Sequence, residues 1–226
     1  MIAAAIATAA CAVALVLLVR AERRDDHRGR FRWKPLASAA FVALPLLAGA
    51  FADDRDRTLA AWIVAGLALG AVGDVALMFD SERAFLAGLV AFLLGHVAYV
   101  IGLAHVLPPG GWLDGPMVVA APAALAIALG VLRWLWPRLG PMRAPVIAYV
   151  AVISTMLIGG LAVSLTGGAA SATTRHLLTA GAALFFASDL AVAREKFIGP
   201  DPWNRTIGLP LYYAAQVLFA WAIVVR

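Results

Sequence analysis

The sequence predicts an all-α protein, a polytopic bundle of transmembrane helices that forms one domain over residues 1–226. Apolar residues make up 63% of the chain and charged residues 14%, whereas soluble domains are about 45–50% apolar and about 25% charged. The mean hydropathy is +0.90. Apolar runs of about twenty residues, enough to cross about 30 Å of hydrocarbon, recur along the chain. They do not alternate as barrel strands do, which leaves helices as the spanning elements.

Eight such runs are separated by short polar, Pro or Gly breaks. The predicted spans cover residues 2–19, 35–51, 59–79, 84–106, 116–136, 143–165, 175–193 and 207–225. Gly73–Leu77 in the third span resembles Ser188–Val192 in the seventh, four spans later. This match suggests a 4+4 internal repeat, although five residues do not establish one.

The basic residues predict the orientation of the bundle. Fourteen of the 18 Lys and Arg residues follow spans one, three, five and seven, so those breaks are expected in the cytoplasm and both termini outside. Half of the fourteen lie in Arg20–Lys34, a predicted cytoplasmic loop that could also bind anionic lipid headgroups. Asp53–Arg57 and Pro108–Gly111 are predicted outer loops. We therefore assign the net charge of +5 to topology in a bacterial-type inner membrane, and not to nucleic-acid binding.

Two acidic residues, Asp74 and Asp189, lie inside predicted spans, whereas the other Asp and Glu residues fall in or beside the breaks. An ionisable group in hydrocarbon costs about 2.5–3.5 kcal/mol, so its default interpretation is functional. Asp74 precedes Asp80 by six residues and Asp189 precedes Arg194 by five. At a rise of about 1.5 Å per residue both carboxyls lie about 8–9 Å from the cytoplasmic ends. We expect the two acids to face one polar cavity.

Further polar residues inside the spans are candidates for substrate binding or for support of the acids. They are Lys34 and Ser38 in span two, His96 and Tyr99 in span four, Tyr149 in span six, and Tyr212, Tyr213 and Gln216 in span eight. Lys34 is either an interfacial anchor or a phosphate contact or counter-ion of one Asp. His96, about 18 Å deep, is predicted to line the upper cavity without contacting both carboxyls. Tyr212 also suits an interfacial aromatic belt.

The sequence lacks the residues that several other kinds of catalytic site require. Three of the four His residues lie at loops or span ends, which speaks against a metal centre. No Gly-x-Ser-x-Gly element and no phosphate-binding loop occurs. The single cysteine, Cys11, cannot form an internal disulfide. What remains is paired-carboxylate catalysis, in which one acid donates a proton and the other acts as a base.

The order and spacing of these residues are similar to those of a known family. The motifs are Lys34-Pro35, Gly73-Asp74, Phe85-x-x-Gly88-x-x-x-Phe92-x-x-x-His96-x-x-Tyr99, Tyr149, Gly181-Ala182-x-x-Phe185-x-x-Ser188-Asp189 and Tyr213-x-x-Gln216. They resemble the YhhN-like lysoplasmalogenase family from about residue 30 to the C-terminus. The resemblance implies a cofactor-independent, eight-helix enzyme that hydrolyses the vinyl ether bond of lysoplasmalogens. Its partners would be a lysophospholipid substrate and membrane lipids. Asp74 and Asp189 would be central, with Ser188 beside them.

Three other functions use the same acid pair. An intramembrane aspartyl protease also carries one Asp on each of two spans, but Gly70-Ala-Val-Gly73-Asp74 has one residue too many for its Gly-x-Gly-Asp element. A small proton-coupled transporter or proton relay would use the acids as carrier sites, and it would suit an internal repeat. In a scaffold, each Asp would only tie helices together.

Overall fold

The computed structural model describes residues 1–52, 54–199 and 202–225, and only the backbone of residues 202–204. Asp53, in a predicted outer loop, lies outside these residues. The described chain forms α-helices and short 3-10 turns, with no strand. The α-helices are α1 (Ile2–Arg23), α2 (His27–Leu47), α3 (Arg57–Ala76), α4 (Glu82–Val106), α5 (Met117–Leu135), α6 (Arg143–Leu165), α7 (Ala172–Phe197) and α8 (Pro202–Ala222). The predicted all-α class is confirmed.

Six of these helices are long and apolar enough to cross a membrane, so the protein is a multi-pass membrane protein. They are α1, α3, α4, α7, α5 together with the 3-10 turn that follows it, and α6 together with the 3-10 turn that precedes it. Within the described residues, α2 and α8 are not apolar enough to be counted with these six. The eight-span topology and the 4+4 repeat therefore stay predictions.

The stretch Arg20–Lys34 is not the open loop that the sequence predicted. Helix α1 continues to Arg23, and α2 begins at His27. The reason is a local cap, because the Asp26 carboxylate accepts a hydrogen bond of 3.0 Å from the backbone N–H of Gly29. Charge alone does not end a helix at the surface of a membrane protein, since long basic side chains extend into water from its last turn.

Six helices surround the centre of the bundle, and two lie outside it. Going round the bundle, α2 packs on α3, α3 on α4, α4 on α6, α6 on α7 and α7 on α8, which returns to α2 and α3. Helix α1 packs on α2 and α8, and α5 mainly on α6. The ring of central helices therefore carries every polar side chain that the sequence singled out inside the spans.

Close helix approach depends on small residues. A Cβ atom added at Gly88 of α4 would lie 3.4 Å from the carbonyl oxygen of Gly73 in α3 and 2.8 Å from Leu77. One added at Gly66 of α3 would overlap the ring of Tyr99, which is fully buried. These glycines leave room for groups of the facing helix, so that α3 and α4 can pack closely.

We expect Gly66→Ala to destabilise the protein by about 1–3 kcal/mol, because the new methyl group overpacks a closed interface. Gly130→Ala in α5 is the matched control, since a Cβ there meets no atom within 4 Å. It should leave the stability unchanged or raise it slightly, because alanine favours helix. Thermal unfolding of both variants in detergent measures the difference, and equal melting temperatures would contradict the proposed packing.

Candidate active site

Asp74 lies in the last turn of α3 with 2% of its surface exposed. Its Oδ2 accepts hydrogen bonds from Ser38 Oγ at 2.6 Å and from the Tyr212 hydroxyl at 2.8 Å. The Tyr213 hydroxyl lies 3.5 Å from the same oxygen. Lys34 Nζ is 3.7 Å from Oδ1. One carboxyl group therefore joins α2, α3 and α8.

A buried relay of side chains continues from Tyr212. Gln216 Nε2 donates to the Tyr212 hydroxyl at 3.0 Å, and Gln216 Oε1 accepts from the Tyr99 hydroxyl at 2.5 Å. Gln216 is completely buried, so both ends of its amide need such partners. A Cβ atom at Gly70 would overlap this amide, which explains the glycine one turn before Asp74. The relay fixes the orientation of the Tyr212 hydroxyl toward the carboxylate.

Asp189 on α7 belongs to a second group of side chains. Its Oδ2 accepts a hydrogen bond of 2.7 Å from the Tyr149 hydroxyl of α6, and His96 Nε2 of α4 lies 3.6 Å from the same oxygen. His96 is buried, and neither ring nitrogen has a hydrogen-bond partner among the described residues. Its ring packs against Phe185 and Tyr149, with centroids 4.4 and 5.3 Å away. The Asp189 side chain keeps 15% of its surface exposed.

Both acids line one cavity of about 800 Å³. Its polar end is formed by the ends of α2, α4, α7 and α8, and its apolar side by residues of α5 and α6, among them Val131, Leu135, Val146 and Ile153. Tyr149, Ser188 and Tyr212 also line it. The remaining predicted site residues, Ser38, His96, Tyr99, Tyr213 and Gln216, lie behind its wall and support the residues that face it. The cavity is amphipathic, with a charged mouth and an apolar flank.

A row of packed aromatic rings connects the surroundings of the two acids. Tyr212, which holds Asp74, packs edge-to-face on Phe92 and Phe185 with centroids 5.7 and 5.3 Å away. Phe185 in turn contacts His96 beside Asp189. Across the described part of the chain, no hydrogen bond or ion pair joins Asp74 to Asp189. Both carboxyls line one cavity, but each belongs to its own group of hydrogen-bonded side chains.

The structure distinguishes between several sequence-based alternatives. Lys34 is the counter-ion of Asp74, with its side chain 10% exposed. Tyr212 is buried and is not a residue of an interfacial belt. Ser188 donates to the carbonyl oxygen of Gly208 at 3.1 Å and so ties α7 to α8. His96 was predicted to line the upper cavity, but it is not part of the lining, and it lies buried 3.6 Å from Asp189 with its ring packed against Tyr149 and Phe185.

Three cations at the mouth were not singled out from the sequence. Arg30, Lys196 and Arg205 line the cavity, whereas Arg194, which marks the cytoplasmic end of the seventh predicted span, is exposed and is not part of the lining. Lys196 stands seven residues after Asp189, hence on the same helix face. This spacing of seven residues could have identified Lys196 from the sequence, whereas Arg194, five residues after Asp189, lies on a different face of α7.

These three cations differ in how strongly other side chains of the protein bind them. Arg205 donates to Glu195 at 2.8 Å and to Glu22 at 3.2 Å, and the hydrogen bond to Glu195 raises its pKa. Arg30 has a looser partner, Asp80, at 3.8 Å. Lys196 lies over the ring of Phe85, 4.0 Å from its centroid.

Fold and site together define a multi-pass α-helical membrane protein with one buried and one half-buried carboxyl group in an amphipathic cavity. The model of the YhhN family matches residues 29–223, and the chain belongs to that family. The resemblance predicted from the motifs is thereby confirmed.

Curated relatives share this sequence over most of its length. The chain is 33% identical to lysoplasmalogenase TMEM86A of Bos taurus over 163 residues, which cover 72% of this chain and 65% of the relative. It is 31% identical to a lysoplasmalogenase of Mycobacterium tuberculosis over 211 residues, 90% of this chain and 75% of the relative. Human lysoplasmalogenase TMEM86B is 35% identical over 153 residues, 67% of this chain and 58% of the relative. The match thus spans slightly less than two thirds of the bovine protein. No solved structure matches the chain significantly.

We expect Lys34→Met to destabilise the protein more than the double variant Lys34→Met/Asp74→Asn. Removing one partner of a buried ion pair leaves an uncompensated charge, which costs about 3–5 kcal/mol, whereas replacing both partners is far milder. A double-mutant cycle by thermal unfolding measures the coupling. Additive effects would mean that the 3.7 Å approach contributes no interaction energy.

Proposed function

We propose that this protein is a membrane-embedded hydrolase that cleaves the vinyl ether bond of lysoplasmalogens. The products are a fatty aldehyde and glycerophosphoethanolamine or glycerophosphocholine. The observation that carries the proposal is the single cavity lined by Asp74 and Asp189, in a chain whose curated relatives are named lysoplasmalogenases. The reaction requires no metal or organic cofactor, since proton transfer and water attack are both within the reach of carboxyl groups.

The cavity suits a single-chain amphiphile. A volume of about 800 Å³ falls within the range of about 300–1,000 Å³ for small-molecule sites. The apolar flank of α5 and α6 takes the alkenyl chain, and the mouth takes the headgroup. Arg30 and Lys196 are the cations best suited to bind the phosphate, because Arg205 is held by two glutamates and Lys34 by Asp74.

Vinyl ether hydrolysis begins with a proton added to the alkene carbon distal to the ether oxygen, which produces an oxocarbenium ion that water attacks. Glycosidases stabilise a related cation with two carboxyl groups, one acting as acid and the other as base or nucleophile. In this chain one of Asp74 and Asp189 donates the proton, and the other stabilises the cation. The supporting observation is that the two carboxyls belong to separate hydrogen-bond groups, so they can hold different protonation states.

The arrangement disfavours the aspartyl protease. That mechanism needs two carboxyls about 3 Å apart that share one proton, whereas no contact joins Asp74 to Asp189 in the residues that the structure describes. The proton-coupled transporter differs from the hydrolase in a measurable way, because it would produce flux across liposomes without any lipid turnover.

We also propose that all eight helices span a bacterial inner membrane, with both termini outside and the cavity mouth at the cytoplasmic leaflet. At about 1.5 Å per residue, the 21 residues of α2 and of α8 reach about 31 Å, the thickness of the hydrocarbon core. Their hydropathy is lowered by the polar residues that face Asp74, among them Lys34, Ser38 and Tyr212, and by basic residues in the first turns of both helices.

Asp74→Asn and Asp189→Asn should each lower aldehyde release by at least about 100-fold, the usual minimum contribution of a general acid or base. Mass spectrometry of lysoplasmenyl lipid incubated with purified protein measures the product. Asp114→Asn, in an exposed loop outside the cavity, is the matched control and should retain full activity. Full activity in either cavity variant would remove that residue from the mechanism.

The orientation is testable because Cys11 is the only cysteine. In a Cys11→Ala background, a cysteine at Asp80 or Glu195 should react with membrane-impermeant maleimide only after the cells are opened, and one at Asp114 in intact spheroplasts. The reverse labelling pattern would invert the proposed topology.

A further inference from the structure

The two halves of the chain contain equivalent helix pairs, α3–α4 and α7–α8, each packed along its length. Without gaps, Gly66–Leu77 of α3 aligns with Gly181–Val192 of α7, and Gly88–Val100 of α4 with Gly208–Ala220 of α8. The matched positions include Gly66 with Gly181, Gly73 with Ser188, Asp74 with Asp189, Gly88 with Gly208, Phe92 with Tyr212, His96 with Gln216, and Tyr99 with Phe219. The similarity is thus longer than the five residues around the acids.

Contacts follow the same equivalence. A Cβ atom at Gly66 would overlap the Tyr99 ring, and one at Gly181 would lie 3.2 Å from the Phe219 ring. Tyr99 and Phe219 stack on each other with centroids 4.0 Å apart and planes 10° apart. Equivalent residues meet in this way at a two-fold axis, as in transporters built from parallel repeats.

The residues beside the two acids also occupy equivalent positions in the two halves, but their side chains differ in chemistry. Asp74 receives a hydrogen bond from Tyr212 of α8, and Gln216 holds that hydroxyl in place. For Asp189 the equivalent residues are on α4. They are Phe92, which has no hydroxyl group, and His96, whose Nε2 stands 3.6 Å from Oδ2.

We propose that the two halves have diverged into unlike roles, with Asp189 as the proton donor and Asp74 as a permanent carboxylate beside the cation that forms. This proposal rests on the hydrolase function proposed above and assigns the roles that it left open.

The surroundings of Asp74 are those of an ionised carboxylate. Lys34 is its ion-pair partner, and the hydroxyls of Ser38, Tyr212 and Tyr213 are directed at Oδ2. Donors and a cation favour the charged form of a carboxyl group. Its side chain is 3% exposed, so these protein groups supply nearly all of its surroundings.

Asp189 has the surroundings of a protonated acid. Within the described chain its neighbours with titratable or charged groups are Tyr149 and His96, and neither is a fixed cation. Tyr149 donates to Oδ2, the oxygen that serves as the carbonyl of a neutral acid. Oδ1 accepts no hydrogen bond from the described residues, and the side chain lines the cavity. The proton therefore belongs on Oδ1, facing the substrate.

The hydrolysis proceeds through an oxocarbenium ion and a hemiacetal. The alkene π electrons take the proton from Asp189 Oδ1 to form a C–H bond, and an oxygen lone pair completes the oxocarbenium ion. Water adds to the carbon bonded to that oxygen and returns a proton to the Asp189 carboxylate. The resulting hemiacetal then breaks its C–O bond, transferring its hydroxyl proton to the departing glycerol oxygen and leaving the aldehyde. Asp74 stays ionised throughout and lowers the energy of the cation.

Infrared spectroscopy of the full-length protein near neutral pH tests the assignment without a substrate. The wild type should show the carbonyl stretch of one buried protonated carboxyl group, sensitive to D2O. The band should be lost in Asp189→Asn and retained in Asp74→Asn. Loss in Asp74→Asn, loss in both variants, or no band in the wild type would each overturn the assignment. Asp189→Glu, which should keep a shifted band, covers the case in which Asp189→Asn fails to fold.

Kinetics give a second readout. Formic acid should restore aldehyde release to Asp189→Ala in proportion to its concentration, because it supplies the missing proton donor, and should not restore it to Asp74→Ala. The reverse pattern would exchange the two roles. If the wild type releases no aldehyde from any lysoplasmalogen, the proposed function fails, while the infrared result still decides which acid carries the proton.

Discussion

The fold depends on the way in which Asp74 is neutralised inside the bundle. A carboxylate in hydrocarbon needs a cation and several donors to offset its desolvation, and here they come from Lys34 and Ser38 of α2 and from Tyr212 of α8. These two helices are the ones whose composition falls short of an ordinary membrane span. Their polar side chains are therefore the means by which α2 and α8 are held against α3.

Because these polar side chains gather at Asp74, the two acids have different surroundings. The polar side chains of α2 and α8 are concentrated at Asp74, whereas Asp189 has its own partners, Tyr149 of α6 and His96 of α4. Two carboxyls with the same surroundings in one pocket would compete for a single proton. Separate sets of partners instead allow the two carboxyls to differ in protonation, although both line the same cavity.

The sequence predicted the all-α membrane class, because the length of an apolar run needs no knowledge of which helices are neighbours. It also singled out Asp74 and Asp189, which line one cavity, since an acid inside an apolar run is visible without the fold. It could not predict that Tyr149 donates to Asp189 and Tyr212 to Asp74, because periodicity defines the face of a helix and not the helix it meets. Lys196 differs from these cases, because its spacing of seven residues from Asp189 was visible in the sequence and places it on the helix face of that acid.

The glycines connect the packing to the chemistry. Gly70 leaves room for the Gln216 amide, and Gly66 and Gly181 receive the stacked rings of Tyr99 and Phe219. Because these rings stack on each other, a larger residue at either glycine would displace Tyr99, which holds Gln216 and through it the Tyr212 hydroxyl beside Asp74. The small residues on α3 and α7 thus act on the carboxyls indirectly, by fixing how far α4 and α8 stand from them. The two separate hydrogen-bond groups around the acids depend on those distances.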